Sequence, residues 1–274
     1  MMKRLLYNFA KHFLLILFCA STLVPLFFVI ITALGSRKDT VSRKVFPQSI
    51  SLDSFISVIS KYNILKYLVN SSKLVVLAII ITVLFSYIIC YNLYYISKFR
   101  NIIMNSVILI RFFPTFLFIV PFYIYITKIG LSKTILGLLI PYIVLAMPPA
   151  IWILMNSIIR IPISIVEAAI LDGSSKWIIL FKIFFPLSFN SICTVVFYSG
   201  FNLWSEYMFA QIFASSDSNK TLMVVISEMY NSAQYGLNEI MATLIISLIP
   251  QILLFVLFQK YFFESISSLS TYSS

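Results

Sequence analysis

Six long apolar runs leave few folds open to this chain: about 13–34, 74–95, 103–126, 135–155, 192–213 and 240–262. A helix of roughly 20 apolar residues crosses the hydrocarbon core of a bilayer. Lipid offers no partners to backbone N–H and C=O groups, so only helices and closed barrels span it. Barrel strands would show alternation over about ten residues, whereas these runs are continuous. The expectation is an all-α polytopic membrane protein with six transmembrane helices, residues 1–274 forming one transmembrane domain. At 61% hydrophobic and 11% charged residues, no stretch is left for a water-soluble domain. The first run exceeds the ~7–15-residue core of a signal peptide and reads as a retained span.

The formal net charge of +11 suits Lys and Arg set beside anionic headgroups. Nucleic-acid binding would need a basic face with interleaved aromatics on a soluble fold, and no such region exists. Aromatic residues, at 16%, fit lipid-facing Phe and interfacial Tyr belts. Cys19, Cys90 and Cys193 lie inside apolar runs without CxxC partners and read as small buried hydrophobes. His12 is the only histidine, which argues against a His-based metal site or catalytic triad. Residues 36–72 are polar, and within them Phe55, Ile56, Val58, Ile59, Tyr62 and Leu65 recur at helical spacing, as in a short surface helix. Residues 214–239 form a second polar loop. With a cytoplasmic N-terminus, nine Lys and Arg fall inside, ten outside, and Arg111 within a span. The positive-inside rule therefore does not decide sidedness.

One polar insert, about 160–187, cannot be explained by lipid. Ser164 and Glu167 fit a capping box, with Pro162 breaking the helix upstream. Gly173 can supply the left-handed residue that ends a helix. Ser174 can cap a second helix through Lys176, Trp177, Phe181 and Phe184, which Pro186 ends. The result is a helix–turn–helix hairpin projecting between the fourth and fifth spans. Capping alone would account for Glu167. The small pair Ala168-Ala169 suits close approach by another protein, and Trp177 and Phe181 suit anchoring in a partner pocket.

Glu167-Ala168-Ala169, Asp172-Gly173, Ile183 and Pro186-Leu187 together resemble the EAA loop of binding-protein-dependent ABC importer permeases. More of the chain, from about 65 to 261, resembles the maltose-type second permease of the carbohydrate-uptake branch. The carrying residues are Asn70-Ser71, Arg111-Phe112-Phe113-Pro114, Val120-Pro121-Phe122-Tyr123, Gly130 to Thr134, Ile161-Pro162, Trp204-Ser205-Glu206 and Ile249-Pro250. Three departures stand out. Asn190 sits where the family often has Pro, Ser205 replaces the common Asn, and the tail after Glu264 is Ser-rich.

The resemblance implies a permease subunit in the plasma membrane with both termini cytoplasmic. Its loop would dock in a groove of a cytoplasmic ATPase through Glu167, Ala168, Ala169, Asp172, Gly173, Trp177 and Pro186. The implied partners are a second, different permease subunit, ATPase subunits and an extracytoplasmic substrate-binding protein. The solute would be a sugar or relative. No cofactor is expected on this chain, ATP and Mg being used by the partner ATPase.

Arg111, Asn202, Trp204 and Glu206 are candidates for the translocation path. A charge within a span is costly and usually faces a cavity, although Arg111 could equally snorkel to the interface. Pro114, Pro121, Pro148 and Pro149 are expected to kink or break their helices. No GxxxxGK[ST] phosphate loop is present, so the chain is not expected to hydrolyse ATP. A self-sufficient secondary transporter would need acidic or His relays in several spans, and only Glu206 is a good candidate. A non-transporting membrane scaffold would not need the tight hairpin.

Overall fold

The computed structural model describes residues 2–36, 46–214 and 216–270, with side chains for 7–36, 46–96, 98–214 and 216–264. Part of the polar 36–72 stretch, and the side chains of Lys3 and Arg4, lie outside these residues.

The described chain is helical. In order come α1 (Met2–Leu34), α2 (Asp53–Ser60), α3 (Ile64–Tyr95), α4 (Ser97–Phe112), a 3₁₀ turn (Thr115–Phe118), α5 (Ile119–Lys128) and α6 (Ile135–Ile158). Then follow α7 (Ile163–Leu171), α8 (Lys176–Ile179), a π turn (Leu180–Phe184), α9 (Phe185–Trp204), α10 (Met208–Phe213), α11 (Leu222–Asn231) and α12 (Leu237–Ser270). Five helical segments are long and apolar enough to cross a membrane, and six if one bent pair counts as a span.

Several boundaries differ from the apolar runs. The second span starts at Ile64, so Leu65 belongs to it; the short helix before it is α2. The third run is no single helix. Its halves, Lys98–Phe112 and Thr115–Lys128, meet at 99°. Pro114 stands at the break in extended conformation, where a proline both lacks an N–H and restrains the residue before it. Pro141, Pro148 and Pro149, by contrast, sit inside a continuous α6, and Pro121 falls in the first turn of α5, where a missing N–H costs nothing. Cys90 and Cys193 are buried, but Cys19 is exposed, because residues 7–28 of α1 are exposed throughout.

The chain groups into two compact units. The first comprises 1–66 and 225–249. Here the Glu239 carboxylate accepts from Ser57 Oγ at 2.7 Å and from the Gly236 backbone N–H at 2.9 Å. Asn238 donates to Ser54 Oγ at 2.9 Å, and the Tyr62 and Tyr235 rings pack 4.7 Å apart. The second unit, 67–224 and 250–274, contains the insert. Its core joins Cys90, Leu154, Ile158, Val166, Ile179 and Phe184, among others, from α3, α6 and the insert. Gly200 on α9 permits close packing: a Cβ there would lie 2.9 Å from Leu254 and 3.3 Å from Ile79.

Candidate functional site

Helix α7 begins directly after Pro162, which is extended and makes no side-chain cap. The helix therefore starts at Ile163, two residues earlier than a capping box with Ser164 as N-cap requires. Ser164 and Glu167 both lie inside it, exposed, and the expected Ser164–Glu167 box does not form. A serine already in helical conformation cannot fold back on the first free N–H groups.

The turn that closes α7 does follow the sequence. Asp172 N–H donates to Ala168 O at 2.9 Å and Gly173 N–H to Ile170 O at 3.0 Å. Ser174 N–H reaches back to Ala169 O at 2.9 Å, the six-to-one bond of a Schellman ending. Gly173 holds φ +78, a conformation open to glycine and costly for other residues. The cap of the next helix is Ser175, not Ser174: its Oγ accepts from Ile178 N–H at 3.4 Å.

Pro186 does not end the second arm. Lys176–Ile179 continues through the π turn Leu180–Phe184 into α9, giving one apolar segment from Lys176 to Trp204. An α-helical proline ring clashes with the carbonyl four residues back; the wider π turn just before Pro186 relieves that clash while the helix continues. The fifth span is thus displaced toward the insert. It closes at Trp204, and Phe213 ends a separate short helix, α10.

The hairpin presents an apolar rim. Leu171 is 87% exposed at the tip, and Trp177 (67%) and Phe181 (58%) stack with centroids 6.0 Å apart. Glu167, Ala168, Asp172, Gly173 and Pro186 are exposed as well, while Ala169 is half-buried. Val166, Ile179 and Phe184 point inward and are buried, which seats both arms on the second unit.

A feature not singled out from the sequence grips this hairpin. Tyr87, Tyr91 and Tyr94 recur at i, i+4 and i+7 on α3, so their side chains share one helix face. Tyr94 Oη donates to Ile161 O at 2.9 Å, Tyr91 Oη to Lys176 O at 3.0 Å and Tyr87 Oη to Leu180 O at 3.1 Å. Phe184 lies edge-on between Tyr91 and Tyr94, 5.0 Å from each. By sequence these tyrosines read as an interfacial belt; only their common spacing could have marked them.

Beside the break at Pro114, a cavity of about 480 Å³ is lined by Arg111, Phe122, Tyr198, Asn202 and Glu206, among others. A second, of about 550 Å³, is lined by Asn156, Arg160, Asn190 and Glu264 among others, and shares Arg111, Pro149 and Tyr198 with the first. Arg111 donates to Tyr198 Oη at 3.1 Å, so this pair forms part of the wall common to both. Asn202 donates to Tyr198 O at 2.7 Å.

Glu206 is not within a helix. It follows the end of α9, and its carboxylate accepts from Phe209 N–H (2.8 Å) and Ala210 N–H (3.1 Å). It satisfies free N–H groups at the start of α10. Of the four path candidates, Arg111, Asn202 and Glu206 line the first cavity. Trp204 is 4% exposed and buried in the second unit, outside both linings.

Residues 88–268 match the family described as "Binding-protein-dependent transport system inner membrane component". Over 264 residues the chain is 28% identical to the inner membrane ABC transporter permease protein YcjP of Escherichia coli, covering 94% of each. It is 26% identical to the diacetylchitobiose uptake system permease protein NgcG of Streptomyces coelicolor, covering 94% of this chain and 86% of that one. The trehalose/maltose transport system permease protein MalG of Thermococcus litoralis is 28% identical, covering 92% of each. A chain from the crystal structure of a bacterial ABC transporter involved in importing the acidic polysaccharide alginate shares the fold, with TM-score 0.80 and 19% identity over 94% of this chain and 96% of that one. With two-thirds of its length inside the family match and an all-helical, multi-span fold, the chain belongs to the binding-protein-dependent transport system inner membrane components, the permease subunits of ABC importers, whose ATPase activity resides in a separate subunit.

Proposed function

We propose that this chain forms half of the translocation path for a sugar or related solute, and that its hairpin docks into a cytoplasmic ATPase. The observation that carries this reading is the exposed turn at Gly173 flanked by the uncovered Trp177–Phe181 stack. An apolar rim on a rigid, tightly closed hairpin suits a partner groove. Docking there would place the hairpin and both termini on the cytoplasmic side. Glu167 and Asp172 would meet basic or polar groove residues. Arg111, Asn202 and Glu206 would border the solute path, Arg111 facing it rather than lipid.

Relatives named for diacetylchitobiose and trehalose/maltose uptake support a sugar. A second permease, ATPase subunits that use ATP and Mg, and an extracytoplasmic binding protein would complete the transporter. Cross-linking tests the docking: Leu171→Cys is expected to form a disulfide with a cysteine in the ATPase groove of the assembled complex. Purification of this chain as a complete, functional transporter free of ATPase subunits would overturn the reading.

A further inference from the structure

We infer that Tyr87, Tyr91 and Tyr94 are positioning residues that fasten the hairpin to α3, so that hairpin and span move as one body. The inference rests on the docking reading above only for the source of the motion; the fastening itself is read from geometry. Three hydroxyls on one face of α3 meet three backbone carbonyls spread across the hairpin: Ile161 O at its entrance, Lys176 O at the start of its second arm and Leu180 O in the π turn. A turn of helix separates successive anchors on α3, so the joint resists both sliding and rotation.

The packing repeats the pattern. Phe184 is fully buried and held edge-on by two of the same rings, 5.0 Å from each. Phe185 meets the third, Tyr87, at 6.2 Å. Carbonyl partners matter here. A bond to backbone is indifferent to the side chains that a docking surface must vary, so grip and recognition are separated. The π turn makes this grip necessary. A widened turn just ahead of Pro186 is a natural hinge, and an unclamped hinge there would let the hairpin swing without moving a span.

The test uses the whole assembled transporter with Cys19→Ser and spin labels at Ile163→Cys on the hairpin, away from the docking rim, and Phe85→Cys on α3, both exposed positions. Distances are read by double electron–electron resonance without nucleotide and after trapping with ATP and vanadate. With the ladder intact, one narrow distance is expected in both states. In the Tyr87→Phe, Tyr91→Phe, Tyr94→Phe triple variant, which keeps all three rings, the detached population rises roughly two- to tenfold per hydroxyl removed. Its distance then broadens and shifts on trapping, while ATP turnover persists.

A triple variant whose distance stays narrow and fixed in both states overturns the inference, as does a wild-type distance that shifts on trapping. If the triple variant fails to assemble, the three single variants are read the same way. A hairpin that never cross-links to the ATPase removes the docking reading yet leaves the resonance result to judge the ladder.

Discussion

Gly173→Val tests the hairpin most directly, because the structure separates its two possible costs. A Cβ at Gly173 meets nothing within 4 Å, so no neighbour has to move. The backbone, however, stands at φ +78. An L-residue pays about 1–2 kcal/mol in the left-handed region, and a β-branched one is a genuine outlier there. A cost of ~1–2 kcal/mol reduces the population of the closed turn about 5- to 30-fold relative to open ones. The turn bonds from Asp172, Gly173 and Ser174 back to α7 would be lost, and with them the angle between the arms.

The assay is uptake per ATP hydrolysed in proteoliposomes carrying the complete transporter. Gly173→Asn serves as control, since asparagine tolerates this conformation better than other side chains. The expected order of coupling is Gly, then Asn, then Ala, with Val lowest, and all variants present in the membrane at normal amounts. Wild-type coupling in Gly173→Val would refute the reasoning. So would an Asn variant as impaired as the Val variant, since bulk and not backbone geometry would then be responsible.

Glu206→Ala should lower the melting temperature of the purified complex, because capping by its carboxylate is worth about 0.5–2 kcal/mol; Glu206→Gln, which keeps one acceptor, should lower it less, and an unchanged melt in both would show that α10 needs no cap. Tyr198→Phe should destabilise by removing the hydroxyl to which Arg111 donates, by no more than about 0.5–1.5 kcal/mol because the bond is exposed, and adding Arg111→Met to it should cost less than Arg111→Met alone; strict additivity in the double-mutant cycle would show that the pair does not interact. Gly200→Leu should cost about 1–3 kcal/mol through overpacking against the Leu254 and Ile79 side chains, and a normal melting temperature would mean the helices separate there at no cost.

The membrane class, the approximate spans and the turn at Gly173 were readable from the chain itself. Lipid demands long apolar helices, and a tight left-handed turn demands glycine; both requirements act on residues near each other in sequence. The proline effects were not readable in this way. Pro114 opens a 99° bend, Pro148 and Pro149 lie within a continuous helix, and Pro186 is absorbed by a π turn. Whether a proline breaks a helix depends on whether the adjoining turn can widen and whether neighbouring elements hold it straight. Glu206 shows the same division. Its isolation in an apolar run marked it as unusual, but only the end of helix α9 at Trp204 reveals that its carboxylate caps α10. The tyrosine ladder lies furthest from the sequence. A hydroxyl at the end of a span satisfies water, headgroup or a distant carbonyl equally well by composition, and only tertiary packing brought Ile161, Lys176 and Leu180 within its reach.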